Sequence, residues 1–310
     1  MRTRRSSSSS NPVPPPEEGH RSVLLHEAIE GLAVRPDDVV IDGTLGGAGH
    51  ARAAAERLGK DGTFIGFDLD TDAILRAQEA LADAAPRIVL VQSNFRHLKR
   101  ELAERGITHI DKALFDLGWS SYQLSVGRGF SFLRDEPLAM TYAKEGAPYT
   151  AATIVNEWEE SSIADVIFGW GEERYARRIA RAIVERRAER PFETTGELVD
   201  VIKAAVPARY RHGGLHPATR TFQALRIAVN DELGALTEAL NAAWELLAPG
   251  GRIAVITFHS LEDRIVKQTF LRFADNGGER ITRKPIVPST EELAENPRAR
   301  SAKLRVIRRV

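Results

Sequence analysis

Residues 39–50 read VVIDGTLGGAGH, a short apolar strand that runs into a glycine-rich turn. Glycine lets the backbone turn tightly and lets a ligand approach it closely. A helix is predicted after the turn, as far as about Leu58, and then a second strand from Thr63 to Phe67 that ends at Asp68. This order of elements indicates the nucleoside-binding half of an α/β fold.

The alternation of helices and strands continues beyond Asp68. A helix is predicted from near Thr71, and apolar strands are predicted at 88–91 and 112–115. Strands separated by helices of this length indicate a doubly wound, Rossmann-like parallel sheet.

The pattern changes after the fourth strand and becomes helical, with many charges and few candidate strands. From His216, apolar residues recur at steps of three and four as far as Leu247, which predicts one long helix before a strand at 252–257. Ser260 and Asp263, three residues apart, predict the capping box of a further helix. A last strand is predicted at 303–307. We therefore predict a sheet domain interrupted by a helical substrate-recognition domain, with bounds of 20–121 and 215–310 for the sheet domain and 122–214 for the insertion.

Composition excludes several classes of site. The chain has 310 residues, no cysteine, and 43 basic against 43 acidic side chains. Thiolate zinc sites, iron–sulfur clusters and cysteine attack on a pyrimidine ring are therefore excluded, and any RNA affinity must come from local patches. The sequence contains no run of about 18 apolar residues, so no membrane span is predicted. We expect residues 1–19 to form a disordered tail and the protein to be cytoplasmic.

The spacing of the glycines bears on the ligand. Asp68 follows the glycine-rich turn by about 20 residues, where a carboxylate accepts hydrogen bonds from a ribose diol. The only G-x-G of this turn, at 47–49, lacks the third glycine of a dinucleotide fingerprint, and no Walker-type phosphate loop is present in the sequence. S-adenosylmethionine carries no pyrophosphate and tolerates this looser loop, so we predict that Gly47 and its neighbours bind it. A purely structural glycine turn remains the alternative.

The turn after the fourth strand, residues 115–123, reads FDLGWSSYQ and adjoins the same edge of the sheet. An amine that attacks a methyl group becomes cationic, so hydrogen-bond acceptors are needed around it. We predict that Asp116, Ser120 and Ser121 supply them, and that Trp119 and Tyr122 stack on an extruded base. The alternative is that Asp116 caps a turn and Trp119 belongs to the core.

Several basic side chains are candidates for RNA contact. Residues 172–190 hold seven Arg against four Glu, and arginine favours phosphate, although such a stretch is often a solvated helix face. His259 follows the 252–257 strand at the carboxyl edge and is either catalytic or bonded to a neighbour. The predicted RNA contacts are Arg174, Arg178, Arg181, His216, Arg220, His259 and Arg264.

Longer motifs carry a resemblance to a known family. They are HRSVLL at 20–25, the 42–50 loop, DLG at 116–118, RGFSF at 128–132, GEER at 171–174, the 216–225 and 258–264 stretches, and ENPRARS at 295–301. On these residues the chain resembles the MraW/RsmH family of small-subunit ribosomal RNA cytosine-N4 methyltransferases.

The resemblance implies a class I methyltransferase with an inserted helical domain and S-adenosylmethionine as cofactor. It implies that the cofactor is lined by Ala48, Gly49, His50, Asp68, Phe95, Asp116 and Gln123. The implied substrate is the N4 amine of a cytidine in the decoding region of 16S ribosomal RNA, met within the small subunit. No metal is expected for direct in-line transfer, and no ligand cluster is evident in the sequence.

Three positions depart from the family pattern: Ala48 replaces a usual glycine, Tyr122 a usual proline, and 138–141 reads LAMT instead of Leu-Asp-Met-Arg. The first change is expected to leave cofactor binding intact, whereas the last bears on substrate positioning. Two other functions stay open at this stage, a non-catalytic ribosome-assembly factor that binds RNA and a nicotinamide-dependent oxidoreductase. The oligomeric state, a homodimer included, is also open.

Overall fold

The computed structural model describes residues 21–117, 127–142 and 148–310. Within them a seven-stranded sheet has the order β3-β2-β1-β4-β5-β7-β6. The strands are β1 Val39–Asp42, β2 Thr63–Asp68, β3 Arg87–Gln92, β4 Ile110–Asp116, β5 Leu247–Thr257, β6 Gly278–Arg280 and β7 Lys303–Arg309. Strands β1 to β5 run parallel, and β7 is antiparallel to both of its neighbours. The predicted doubly wound Rossmann-like sheet is confirmed.

Helices cover both faces of the sheet and build a separate helical layer. They are α1 Leu25–Leu32, α2 Gly49–Ala55, α3 Thr71–Ala80, α4 Leu98–Glu104, α5 Ala151–Glu157, α6 Glu160–Gly171, α7 Ala176–Arg187, α8 Thr195–Ala205, α9 Ala208–Arg211, α10 Thr219–Asn230, α11 Glu232–Leu246, α12 Ser260–Ala274 and α13 Thr290–Glu295. Within the described ranges, none of these helices has the length and apolar composition that crossing a bilayer requires.

The helical layer has an apolar core of its own. Its buried cluster runs from Phe130 to Val229 and takes side chains from α5, α6, α7, α8 and α10. Helix α10 contributes Phe222 and Leu225, so this cluster extends beyond residue 214, where we placed the end of the insertion. The division of the chain into domains stays a prediction.

The long helix predicted from His216 is wrong in one respect, because it is two helices. Asp231 ends α10 and begins α11 with φ 46° and ψ 47°, in the left-handed region. Aspartate tolerates this conformation better than most residues, and Arg96 holds the Asp231 carboxylate at 2.5 Å. The apolar periodicity misses the break because each helix buries its own face.

Two further local predictions need correction. The capping residue of α12 is His259, whose Nδ1 accepts from Glu262 N while the Glu262 carboxylate accepts from His259 N; the Ser260–Asp263 pair is not the capping box. Strand β5 begins at Leu247, before the Pro-Gly-Gly of 249–251, because its pairing with β4 shifts register there and takes up the extra residues.

Candidate active site

The carboxyl ends of β1 and β4 are joined by one threonine. Thr44 Oγ1 accepts a hydrogen bond from Asp116 N at 2.7 Å, and the Asp42 carboxylate accepts from Thr44 N at 2.9 Å. Asp42 is 2% exposed, and burial raises the pKa of its carboxyl to about 6. The turn after β1 therefore fixes the backbone of Asp116, the candidate catalytic residue, at the edge of the sheet.

The glycine-rich turn needs its small residues for two different reasons. A Cβ at Gly43 would lie 2.6 Å from the ring of Phe115, which is fully buried, so only glycine fits between β1 and β4. Gly46 (φ 48°) and Ala48 (φ 62°) both adopt the left-handed region, which is costly for alanine. The left-handed backbone explains why glycine suits position 48. In this chain the position is occupied by Ala48, whose side chain is buried.

Asp68 holds the turn from the end of β2. Its Oδ2 accepts from Gly46 N at 3.0 Å and its Oδ1 from Asp70 N at 2.9 Å, while burial raises the pKa of the carboxyl. Each carboxylate oxygen has a second lone pair, so Asp68 can accept from a ribose hydroxyl as well.

A pocket lies at this edge, and a larger cleft opens beside it towards the helical layer. Phe95 stands edge-on to Phe115, with ring centroids 5.8 Å apart, and lines the pocket. The other pocket residues are Gly43, Thr44, Gly46, Asp68, Leu69, Ser93, Asn94, Asp116, Leu117, Tyr142, Asn230, Glu232, Ala235, Leu236 and Glu262. The pocket and the cleft share Asp116, and Gly47, Gly49 and His50 line the cleft.

His50 lies against Asp116 in the first turn of α2. Its Nε2 is 3.1 Å from Val23 O, and its Nδ1 is 3.5 Å from Asp116 Oδ2. The ring is 5% exposed, and burial lowers the pKa of the imidazole against the opposing effect of the Asp42 charge.

A buried polar network, absent from our predictions, walls the pocket on the side of the helical layer. The Arg226 guanidinium bonds both oxygens of Glu232, at 2.8 and 2.9 Å, and Tyr142 OH donates to Glu232 at 2.8 Å. A carboxylate oxygen of Glu232, a ring nitrogen of His259 and a carboxylate oxygen of Glu262 lie within 4.8 Å of one another. Arg226 places a cation beside this cluster. Glu232 belongs to a different helix from His259 and Glu262, so no local spacing motif reveals the group.

Only some of the predicted RNA contacts gather at the cleft. Arg220 and His259 line it, together with Arg298 and Arg300 from the C-terminal segment. The others do not line it. His216 stacks on Phe132 at 4.7 Å and Arg264 pairs with Glu172 at 2.9 Å, and both of these partners line the cleft. Arg174 lies over the rings of Tyr175 and Tyr210, Arg181 is 3.8 Å from Glu160, and Arg178 is exposed on α7. His259 is bonded to its neighbour Glu262 in the capping box, and its role towards a substrate stays a prediction.

Six residues of the predicted 115–123 site lie outside the described residues. They are Gly118, Trp119, Ser120, Ser121, Tyr122 and Gln123.

The family model of the MraW methylase family matches residues 17–310. The chain belongs to that family. Relatives from Heliobacterium modesticaldum, Brevibacillus brevis and Clostridioides difficile, each named Ribosomal RNA small subunit methyltransferase H, are 52%, 50% and 48% identical to it. The matches cover 94%, 93% and 94% of this chain and 98%, 96% and 99% of the respective relatives.

Membership of the MraW methylase family makes the chain a methyltransferase that uses S-adenosylmethionine, and its sheet a class I methyltransferase sheet. The family excludes the nicotinamide-dependent alternative. The lining of the pocket suits a nucleoside, because Phe95 offers an aromatic wall and Asp68 a carboxylate. Within the 138–141 stretch, Met140, which matches the family pattern, lines the cleft, whereas the two departures, Ala139 and Thr141, are not among its lining residues.

Proposed function

We propose that this chain transfers a methyl group from S-adenosylmethionine to the N4 amine of a cytidine in the decoding region of 16S ribosomal RNA. The observation that carries the proposal is the position of Asp116, which lines both the pocket and the cleft. A carboxylate at that junction lies between a bound cofactor and a base that enters from the cleft. The names of the relatives support ribosomal RNA of the small subunit as substrate.

In this proposal the pocket holds the nucleoside part of the cofactor. Asp68 accepts from the ribose and Phe95 contacts the adenine, with Gly47, Ala48, Gly49, His50 and Gln123 completing the cofactor site. When bound, S-adenosylmethionine supplies an electrophilic methyl group on a cationic sulfur.

The chain's own residues then orient the acceptor nitrogen. Asp116 accepts a hydrogen bond from the N4 amine, which directs its lone pair and stabilises the positive charge that develops on nitrogen. Ser120 and Ser121 add acceptors. An exocyclic amine is the appropriate target because the sequence contains no cysteine with which to activate a ring carbon.

The cleft is the proposed path of the RNA. Arg220 and His259 are proposed to meet it inside the cleft, and His216 and Arg264 at its rim. Arg174, Arg178 and Arg181 would add backbone contacts from the helical layer. The proposal includes action on the small subunit rather than on free cytidine, hence in the cytoplasm, and it leaves a homodimer open.

The catalytic role of Asp116 is tested by Asp116→Asn. Calorimetry should show a cofactor Kd within about threefold of wild type, while kcat on unmodified small subunits falls by about 10²–10³-fold, because the amide cannot stabilise the developing cation. The matched control is Asp111→Asn at the other end of β4, which bonds Val39 N at 2.8 Å and should keep wild-type kcat. Near wild-type turnover of Asp116→Asn would remove Asp116 from the mechanism. Cofactor binding without methyl transfer by the wild type would favour a non-catalytic assembly factor.

A further inference from the structure

The contacts of His50 determine which of its ring nitrogens carries hydrogen. Val23 O can only accept, so Nε2, 3.1 Å away, is the donor. In the neutral ring Nδ1 therefore carries a lone pair, and this lone pair faces Asp116 Oδ2 at 3.5 Å. Two acceptors face each other across that gap, and one added proton would convert the contact into an ion-paired hydrogen bond.

The groups around His50 favour a neutral ring that can become cationic. Asp42 at the end of β1, Asp116 at the end of β4 and Glu292 of α13 are the charged groups that face it. Burial lowers the pKa of His50, while the charges of Asp42 and Glu292 raise it. At neutral pH the ring is thus an unprotonated base, and its imidazolium would find both N–H groups satisfied.

We propose that His50 is a positioning residue which takes up, through Asp116, the proton that leaves the acceptor nitrogen. The inference rests on the proposed transfer to N4. As the N4–C bond forms, the C–S electron pair returns to sulfur and the nitrogen must lose one proton. That proton passes to the Asp116 carboxylate and from there to His50 Nδ1, so the positive charge that arrives with the methyl group ends on the imidazolium. Separations of 3.5 Å between catalytic partners commonly shorten when substrate is bound.

The competing interpretation is that His50 only ties α2 to the chain at Val23. A glutamine at position 50 separates the two, because its amide N–H can donate to Val23 O while it has no basic nitrogen. Under the proposal, and at saturating cofactor because His50 also belongs to the proposed cofactor site, His50→Gln lowers kcat by about 10–100-fold and loses the acidic limb of the kcat–pH profile. A tether alone predicts wild-type kcat with the limb intact.

Two controls sharpen the kinetic test. His97→Gln replaces an exposed histidine and should leave both kcat and the limb unchanged. Asp42→Asn removes a neighbouring carboxyl that also titrates near neutrality; the limb should persist but move to lower pH, because His50 loses a favourable charge. If Asp42→Asn abolishes the limb, Asp42 is its source and the proposal is wrong.

A measurement without turnover tests the same assignment. Long-range ¹H–¹⁵N correlation spectra of the intact protein should show a neutral His50 with hydrogen on Nε2, which gains its second proton at Nδ1 below pH 6.5. A neutral ring with hydrogen on Nδ1 would overturn the proposal. A wild type that fails to methylate cytidine N4 refutes the proposed function instead, and the spectra then still report the tautomer.

Discussion

At the scale of single residues, Asp42 is a buried carboxyl whose pKa is raised by its surroundings. It is 2% exposed, and its folded-state pKa of about 6 lies above the ordinary 3.8. A carboxyl with a raised pKa contributes stability that is complete below pH 3.8 and is lost as pH rises through 6. Asp42 thus lowers the stability of the enzyme at neutral pH while it positions Thr44.

Asp42→Asn should therefore stabilise the protein progressively as pH rises. The amide oxygen can still accept from Thr44 N, but nothing ionises, so the gain in unfolding free energy over wild type should grow by about 2.4 kcal/mol between pH 4 and pH 7.5. Urea unfolding at the two pH values measures this. The exposed Asp37→Asn serves as control and should show no such growth. A gain that is constant with pH would mean that Asp42 is not buried as an acid.

At the scale of elements, the same substitution is predicted to act in opposite directions on two glycines. Gly43→Ala pushes a methyl group into the Phe115 ring and should cost about 1–3 kcal/mol of stability and weaken cofactor binding, because Phe95 packs on the same ring. Gly169→Ala, exposed inside α6 with no atom near its Cβ, should gain about 0.5–1 kcal/mol. Thermal unfolding and calorimetry measure both. A stable, tightly binding Gly43→Ala protein would contradict the described packing between β1 and β4.

The elements also show where sequence patterns suffice and where they fail. Hydrophobic runs located all five parallel strands, because a sheet covered by helices on both faces demands them. They could not reveal the break at Asp231, since apolar steps of three and four continue on both sides of it. The helix start at His259 was missed because histidine is an unusual capping residue, and the rule favoured Ser260.

At the scale of the whole molecule, the helical layer meets the sheet through the network of Arg226, Glu232 and Tyr142. Arg226→Leu would leave Glu232 buried without its cation and should cost about 3–5 kcal/mol, of which adding Glu232→Gln should restore more than half. The exposed pair of Arg181 and Glu160, 3.8 Å apart, gives the control, since Arg181→Leu should change stability by less than about 1 kcal/mol. The free energy of unfolding in urea measures these changes. If the double variant regains no stability, the loss in Arg226→Leu comes from packing and not from the unpaired charge.

The candidate site was predictable only in part, for a reason that belongs to this scale. Asp68 and Asp116 could be placed because each ends a strand, and parallel strands end at one edge. The contact between His50 and Asp116, the Thr44 link and the Arg226 network join residues of different elements, so their meeting follows from the folded chain and not from any local spacing. The same holds for Arg174, Arg178 and Arg181, whose helical spacing carried no sign that they lie away from the cleft.

The most direct test of the proposed function is to identify the nucleoside that this enzyme modifies. Purified protein would be incubated with labelled S-adenosylmethionine and unmodified small subunits, and the digested RNA analysed by mass spectrometry. We predict label in N4-methylcytidine at a single site of the decoding region. Label in another nucleoside, or none despite cofactor binding, would contradict the assignment.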